Sequence, residues 1–153
     1  MRSWAAALIL FTCASPATAQ TGTGSDWPGF LGPLGTSVST EKGIVAPWPK
    51  KGPGVVWHIP VGAGYCAPSI NKGRLYFFDR KGDQATLTCM KADTGESLWN
   101  FAYPTDYRDK YNYNNGPRCC PVVDGDLVFI HRAEGMLHCL RADTGKIVWK
   151  IDT

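Results

Sequence analysis

The sequence predicts an all-β fold assembled from repeated four-stranded antiparallel units. Three observations predict it: a composition rich in turn formers and aromatic rings, a segment that recurs at 50 residues, and turn-forming dipeptides between short apolar runs. The 153-residue chain carries 17 Gly, 11 Pro and 12% aromatic residues. Frequent turns with many large rings suit short strands and disfavour long helices. The net charge of +3, with 19% charged residues, includes no basic stripe and no run of like charge. Nucleic acid and an anionic membrane surface are therefore not expected partners.

At the N-terminus, Arg2 precedes the apolar stretch Trp4 to Phe11, which is too short to span a bilayer. Ala17-Thr18-Ala19 then supplies the small–x–small pattern of a signal-peptidase site. Residues 1–19 read as a signal peptide cleaved before Gln20, which places the mature chain in the periplasm or outside the cell. The competing reading, a lipoprotein signal ending at Cys13, puts the bulky Thr12 before the lipidated position. No other segment is apolar enough to cross a membrane. Residues 20–54 form a lead-in arm. Cleavage leaves Cys66, Cys89, Cys119, Cys120 and Cys139 in a compartment where disulfides persist. Their odd number leaves at least one thiol without a partner in the chain.

The repeat follows. Leu87 to Trp99 aligns with Leu137 to Trp149, with Leu, Cys, Ala, Asp, Thr, Gly and Trp identical at an offset of 143 − 93 = 50 residues. Upstream, Cys66-Ala67-Pro68-Ser69-Ile70 matches Cys119-Cys120-Pro121-Val122-Val123, and Asn71 to Phe77 matches Asp124 to Phe129 with one residue deleted. Val55-Val56-Trp57-His58-Ile59 is a partial third copy of the closing element, so a closing strand is expected over 55–60. The second full copy divides into strands at about 120–123, 127–131, 136–140 and 146–151. Asp124-Gly125, Glu134-Gly135 and Asp143-Thr144-Gly145 separate them: Gly accepts positive φ, and Asp bonds nearby backbone amides. Four strands every 40–50 residues is the pattern of a β-propeller blade. The expected blades cover 66–101 and 119–151.

The run Ala-Asp-Thr-Gly, two residues and Trp resembles the tryptophan-docking motif of PQQ-binding-like propellers, the quinoprotein alcohol dehydrogenase-like superfamily. Ala92, Asp93, Gly95 and Trp99 carry it once, and Ala142, Asp143, Gly145 and Trp149 carry it again. The resemblance implies that each Trp packs between blades against its neighbour's turn. Pro121 to Asp126 resembles the family's inner-strand hairpin. Asp26 to Pro33 resembles the lead-in of exported, BamB-like bacterial members, although Leu31 stands where those often carry Arg. Closed propellers have roughly four to eight blades, so two blades and a part imply an incomplete propeller. An N-terminal piece of a longer propeller, with further blades from a longer chain or self-association, is the expected context.

Quinoprotein dehydrogenases of this superfamily carry adjacent, bonded cysteines against the PQQ ring, so the resemblance makes Cys119 and Cys120 candidate cofactor contacts. Adjacent Cα atoms stand about 3.8 Å apart, below the usual disulfide range of roughly 4.4–6.8 Å, and such a bond is strained. The alternative is that Cys66 with Cys119, and Cys89 with Cys139, are duplicated small hydrophobes. The connection from Tyr103 to Arg118 is rich in Tyr and Asn, and Tyr107, Arg108, Tyr111, Asn114 and Arg118 are candidate ligand or partner contacts. The other reading of this segment is an ordinary insertion packed over the blade. Asp106, Asp109 and Asn112 lack the alternating spacing of a calcium loop.

His58, His131 and His138 lack metal-ligand spacing. Tyr76, Phe77, Phe78, Phe129, Trp99 and Trp149 fit packing within and between blades. The paired Asp-Thr-Gly triplets do not read as an aspartic-protease dyad, because Lys91, Arg141, Glu96 and Lys146 surround them with solvated charge. The chain has no phosphate loop, nucleophile elbow or zinc motif.

These residues support a non-enzymatic exported propeller module that acts as a binding or scaffold surface for an unidentified protein or small molecule, with no cofactor. The alternative is part of a PQQ-dependent alcohol dehydrogenase, which would transfer hydride from an alcohol to PQQ. On export from a bacterial host, intact-mass measurement should find a mature chain that begins at Gln20. A lipid-modified chain beginning at Cys13 would contradict this reading.

Overall fold

The computed structural model describes residues 25–43 and 47–153. The signal peptide expected over 1–19, with Cys13, lies outside them. Two four-stranded antiparallel sheets follow one another along the chain, each with its strands in sequence order. The first contains β1 (Ser69–Asn71), β2 (Arg74–Lys81), β3 (Gln84–Lys91) and β4 (Ser97–Pro104). The second contains β5 (Val122–Asp124), β6 (Leu127–His131), β7 (Met136–Arg141) and β8 (Ile147–Asp152). These are the two blades. Among the described residues no helix is long and apolar enough to cross a membrane.

Local chemistry sets each turn. Asn71 pairs with Arg74 across Lys72-Gly73, both at positive φ (50° and 70°), as a type I′ hairpin requires. In the second blade Asp124 pairs with Leu127, so the turn residues are Gly125 and Asp126. Only Gly125 of these has positive φ (57°), which is the type II′ pattern with Gly first. The expected Asp124-Gly125 turn is thus shifted by one residue. The expected one-residue deletion is also absent, because Ser69 and Val122 hold equivalent places opposite Tyr76 and Phe129. The offset is 53 residues there and 50 at Cys89 and Cys139. The difference of three lies at the tip between the second and third strands, where β2 runs on to Lys81 and β6 stops at His131.

The Ala-Asp-Thr-Gly turns repeat bond for bond. Gly95 N donates to Lys91 O at 2.9 Å, and Gly145 N to Arg141 O at 2.8 Å. Ala92 N reaches Gly73 O and Ala142 N reaches Asp126 O, both at 2.9 Å, tying each turn to its blade's first hairpin. The register between third and fourth strands shifts at the same place in both blades, just after the pairs Cys89–Trp99 and Cys139–Trp149. Such a bulge adds one residue, here Leu98 or Val148, and re-aims the neighbouring side chain.

That re-aimed side chain is the docking tryptophan. Trp99 Nε1 donates to Ala142 O at 3.2 Å, and Tyr76 Oη donates to the same carbonyl at 3.1 Å. The Trp99 ring lies so close over Gly145 that a Cβ there would stand 2.5 Å from Trp99 Cε3. Trp57 repeats this on the first blade, donating to Ala92 O at 3.1 Å and lying over Gly95. The closing strand expected over 55–60 is corrected: those residues join no ladder, and Val55 and Val56 are exposed. Only the docking half of the repeat is realised there. Trp149 is 43% exposed and every residue of β8 is exposed, since among the described residues no further turn receives this ring.

Tyr76, Phe78, Leu87 and Cys89 form one buried cluster with Val128, Ile130 and Leu140. Cys89 and Cys139 are fully buried, as small hydrophobes would be, and burial raises both thiol pKa values. His138 is buried too, stacked on Tyr103 with ring centroids 6.1 Å apart. Burial first, then the charges of Arg132 and Lys150, lower its pKa. The lead-in arm covers the free edge of β1, with Trp27 and Ile70 exchanging two backbone bonds of 2.8 Å. Pro28 O accepts from Val123 N of β5 at 2.7 Å, so the arm crosses both inner strands.

Gly145→Ala should destabilise the protein by about 2–4 kcal/mol, combining left-handed backbone strain with the clash against Trp99. Gly82→Ala pairs the same kind of backbone (φ 60°) with open space and should cost about 1 kcal/mol. Denaturant midpoints of the two variants check the difference, and equal shifts would deny the docking contact its weight.

Candidate functional site

The connection from β4 to β5 leaves the blades at Pro104 and returns at Pro121, just before the inner strand. Its anchor is a buried arginine. Arg80, 4% exposed near the end of β2, donates to the carbonyls of Gly82, Thr105, Tyr107 and Asn115 at 2.7–3.0 Å. Its neighbour Asp79 accepts from Gly62 N at 2.6 Å. Within the connection, Asp109 accepts from the amides of Tyr113 and Asn114 and pairs with Arg118 at 2.8 Å. The Tyr113 amide foremost, with help from Asn114 and Arg118, holds the Asp109 carboxyl below its ordinary range. Asn115 Oδ1 closes the turn by accepting from Asp109 N at 2.8 Å.

This scaffold presents an open cleft of about 370 Å³ at the start of the inner strands, lined by Phe30, Tyr65, Arg118, Cys119, Cys120 and Val122. The Arg118 guanidinium lies over the Tyr65 ring at 5.5 Å. Beneath it the two blades touch through sulfur and backbone. Cys66 Sγ donates to Cys119 O at 3.0 Å, and Ala67 N donates to Cys120 Sγ at 3.1 Å. Burial, then the neighbouring Cys120 and Cys119, push the Cys66 thiol up to about 12. All three are free thiols, with Cys119 exposed and Cys66 and Cys120 partly buried. Among the described residues no group of three or more His, Cys, Asp or Glu is arranged to hold a metal.

Of the candidate contacts, Cys119, Cys120 and Arg118 share the cleft. Asn114 supports it from behind, its side-chain amide 3.5 Å from Gly64 O and its carbonyl 3.4 Å from Arg118. Tyr107 contributes a carbonyl to Arg80, and Arg108 lines a separate hollow with Asp83 and Thr105. Tyr111 is 69% exposed and stacks on Tyr113, away from the cleft. Asp109 serves the turn. Asp93 and Asp143 are exposed on separate blades, and Asp143 pairs with Arg141. Tyr65, Phe30 and Arg80 were missed from sequence. The one signal for Arg80 was a charged Asp-Arg pair closing an otherwise apolar strand run.

Four-stranded blades, the first docked through its bulge-presented Trp99 on the Ala-Asp-Thr-Gly turn of the second, define a PQQ-like β-propeller repeat protein. The family model described as outer membrane protein assembly factor BamB matches residues 41–152, and the chain belongs to that family. The quinoprotein alcohol dehydrogenase PedH of Pseudomonas putida is 31% identical over 90 residues, which cover 54% of this chain and 13% of that protein. The quinohemoprotein alcohol dehydrogenase of Comamonas testosteroni matches with TM-score 0.58 at 21% identity, over 84% of this chain and 19% of its own. BamB of Moraxella catarrhalis covers 60% of this chain and 23% of its own at 20% identity, with TM-score 0.40. The chain therefore spans less than a quarter of each.

Arg80→Met should unmoor the connection. Each buried carbonyl that loses its donor costs about 1–3 kcal/mol. Trypsin cleavage after Arg108 and Lys110 should accelerate by roughly tenfold or more, the equivalent of about 1.4 kcal/mol of local opening. Unchanged cleavage would mean that Arg80 does not order the segment.

Proposed function

We propose that this chain is a module of an exported PQQ-like propeller protein, and that the inner-strand end of its blades is a binding surface. The carrying observation is the cleft itself, where Phe30, Tyr65 and Val122 offer apolar surface beside one oriented cation, Arg118. Apolar faces supply affinity, and a positioned guanidinium selects register and partner charge. Arg80 and Asp109 brace the loop from within, and a pre-formed surface loses less conformational freedom on binding. The signal-like start supports export, as does the family's description as an outer membrane protein assembly factor.

A second reading, part of a PQQ-dependent dehydrogenase, is favoured by the PedH similarity and by the position of Cys119 and Cys120 in the cleft wall. PQQ carries three carboxylates. Against them the cleft sets one cation, Arg118, already paired with Asp109, and two cysteines that are not bonded to each other. These residues alone do not fit the cofactor, and no redox step follows from them.

The purified mature chain, weighed under native conditions and scanned for absorbance after addition of PQQ and calcium, separates the two. A folded species without stoichiometric quinone is the expected result. Stoichiometric uptake that is lost in Arg118→Ala would overturn the binding-module reading in favour of the dehydrogenase.

A further inference from the structure

We propose that Cys66 and Cys120 form a disulfide that joins the first blade to the second and leaves Cys119 as a free, exposed thiol. Its occurrence in the cell rests on the export reading, while its chemistry rests on geometry alone. Cys66 lies three residues before β1, and Cys119-Cys120 lie just before β5, the neighbouring inner strand. Ser69 Oγ, donating to Pro121 O, fixes that approach from below at 2.5 Å.

The contacts between these cysteines are reciprocal. Cys66 Sγ sits on the carbonyl of Cys119, in the peptide unit that leads into Cys120. Cys120 Sγ sits on the amide of Ala67, in the peptide unit that leaves Cys66. Each sulfur therefore lies against the peptide group adjoining the other's Cα. Cys119 Sγ instead turns to the Cys120 carbonyl at 3.4 Å, within its own dipeptide and open to solvent. A bond between Cys119 and Cys120 would have to close over a Cα separation of about 3.8 Å, below the usual disulfide range. The cross-blade pair carries no such restriction.

The oxidant is an exogenous disulfide, either glutathione disulfide or the active-site disulfide of an envelope oxidoreductase. The Cys120 thiolate attacks one sulfur of that disulfide, forms a mixed disulfide and releases the first reduced thiolate. Cys66 then gives its proton to water, and its thiolate attacks the Cys120 sulfur and displaces the second. Two cysteine thiols lose two electrons, and one disulfide becomes two thiols. Burial raises the Cys66 thiol pKa, which places this thiol in the second, resolving step.

The test uses purified protein equilibrated with glutathione disulfide, then denatured in iodoacetamide and digested with trypsin without reduction. Peptide 52–72, which contains Cys66, should appear joined to peptide 119–132, with one alkylated cysteine on the latter. Unlinked, fully alkylated peptides would overturn the proposal. So would peptide 119–132 alone, two hydrogens light, which reports a Cys119–Cys120 bond. Cys119→Ser should keep the cross-link and Cys120→Ser should lose it, and the reverse pattern would overturn the assignment. Because the oxidation is done on purified protein, a failure of export leaves this result untouched.

Discussion

An indole lying on a glycine turn is the contact on which the rest of this molecule depends. A four-stranded blade has two faces and cannot bury both by itself, so its stability is lent by a neighbour. Here the lending is specific. The bulge after Cys89 swings Trp99 out of its own sheet, Gly145 leaves room for the ring, and Ala142 supplies the carbonyl that accepts Nε1. That turn is itself tied to the first hairpin of its blade through Ala142 N and Asp126 O. Fixing the indole therefore fixes the inner strand, and β1 comes to lie beside β5. The convergence of Cys66 on Cys119 and Cys120 follows from this placement.

Two polar clusters hold the margins of the same interface. At one, Arg80 gathers carbonyls from both ends of the long connection and fixes the segment that leads to Arg118. At the other, Arg132 lies 3.7 Å from the centre of the Tyr103 ring, while Thr105 bonds Glu134 across the blades. Arg80 is buried among carbonyls and Arg132 half-buried on a ring, each with only a long carboxylate contact (3.8 Å to Asp83, 3.6 Å to Glu134). They thus restrict geometry without heavy desolvation of an ion pair. The apolar cluster between them can then be small.

Most of the fold was legible in the residues because it is written locally. Short apolar runs, Gly-containing turns and the repeated Ala-Asp-Thr-Gly…Trp motif specify strands that pair with their sequence neighbours. Misreadings arose where identity between copies was taken for identity of geometry. Lys72-Gly73 and Gly125-Asp126 build different turns of equal length, so the missing residues had to be sought at the hairpin tip. Trp57 looked like part of a strand because its copies are, yet its surroundings offer a turn to dock on and no ladder to join. The cleft was half legible. Cys119, Cys120 and Arg118 stand together in the chain, whereas Tyr65 and Phe30 arrive from one blade earlier and from the arm. No local pattern marks that convergence.

Placing the docking ring on one blade and its receiving turn on the next has a consequence for how such a chain is made. Synthesis delivers the ring before the surface that accepts it. Each blade therefore leaves the ribosome with its last strand bare and its tryptophan unhoused, as β8 and Trp149 stand here at the open face. Completion always lags by one repeat. A delay in making the next turn prolongs the life of a bare apolar blade face that can stick to any passing chain, so the pace of elongation becomes a determinant of yield.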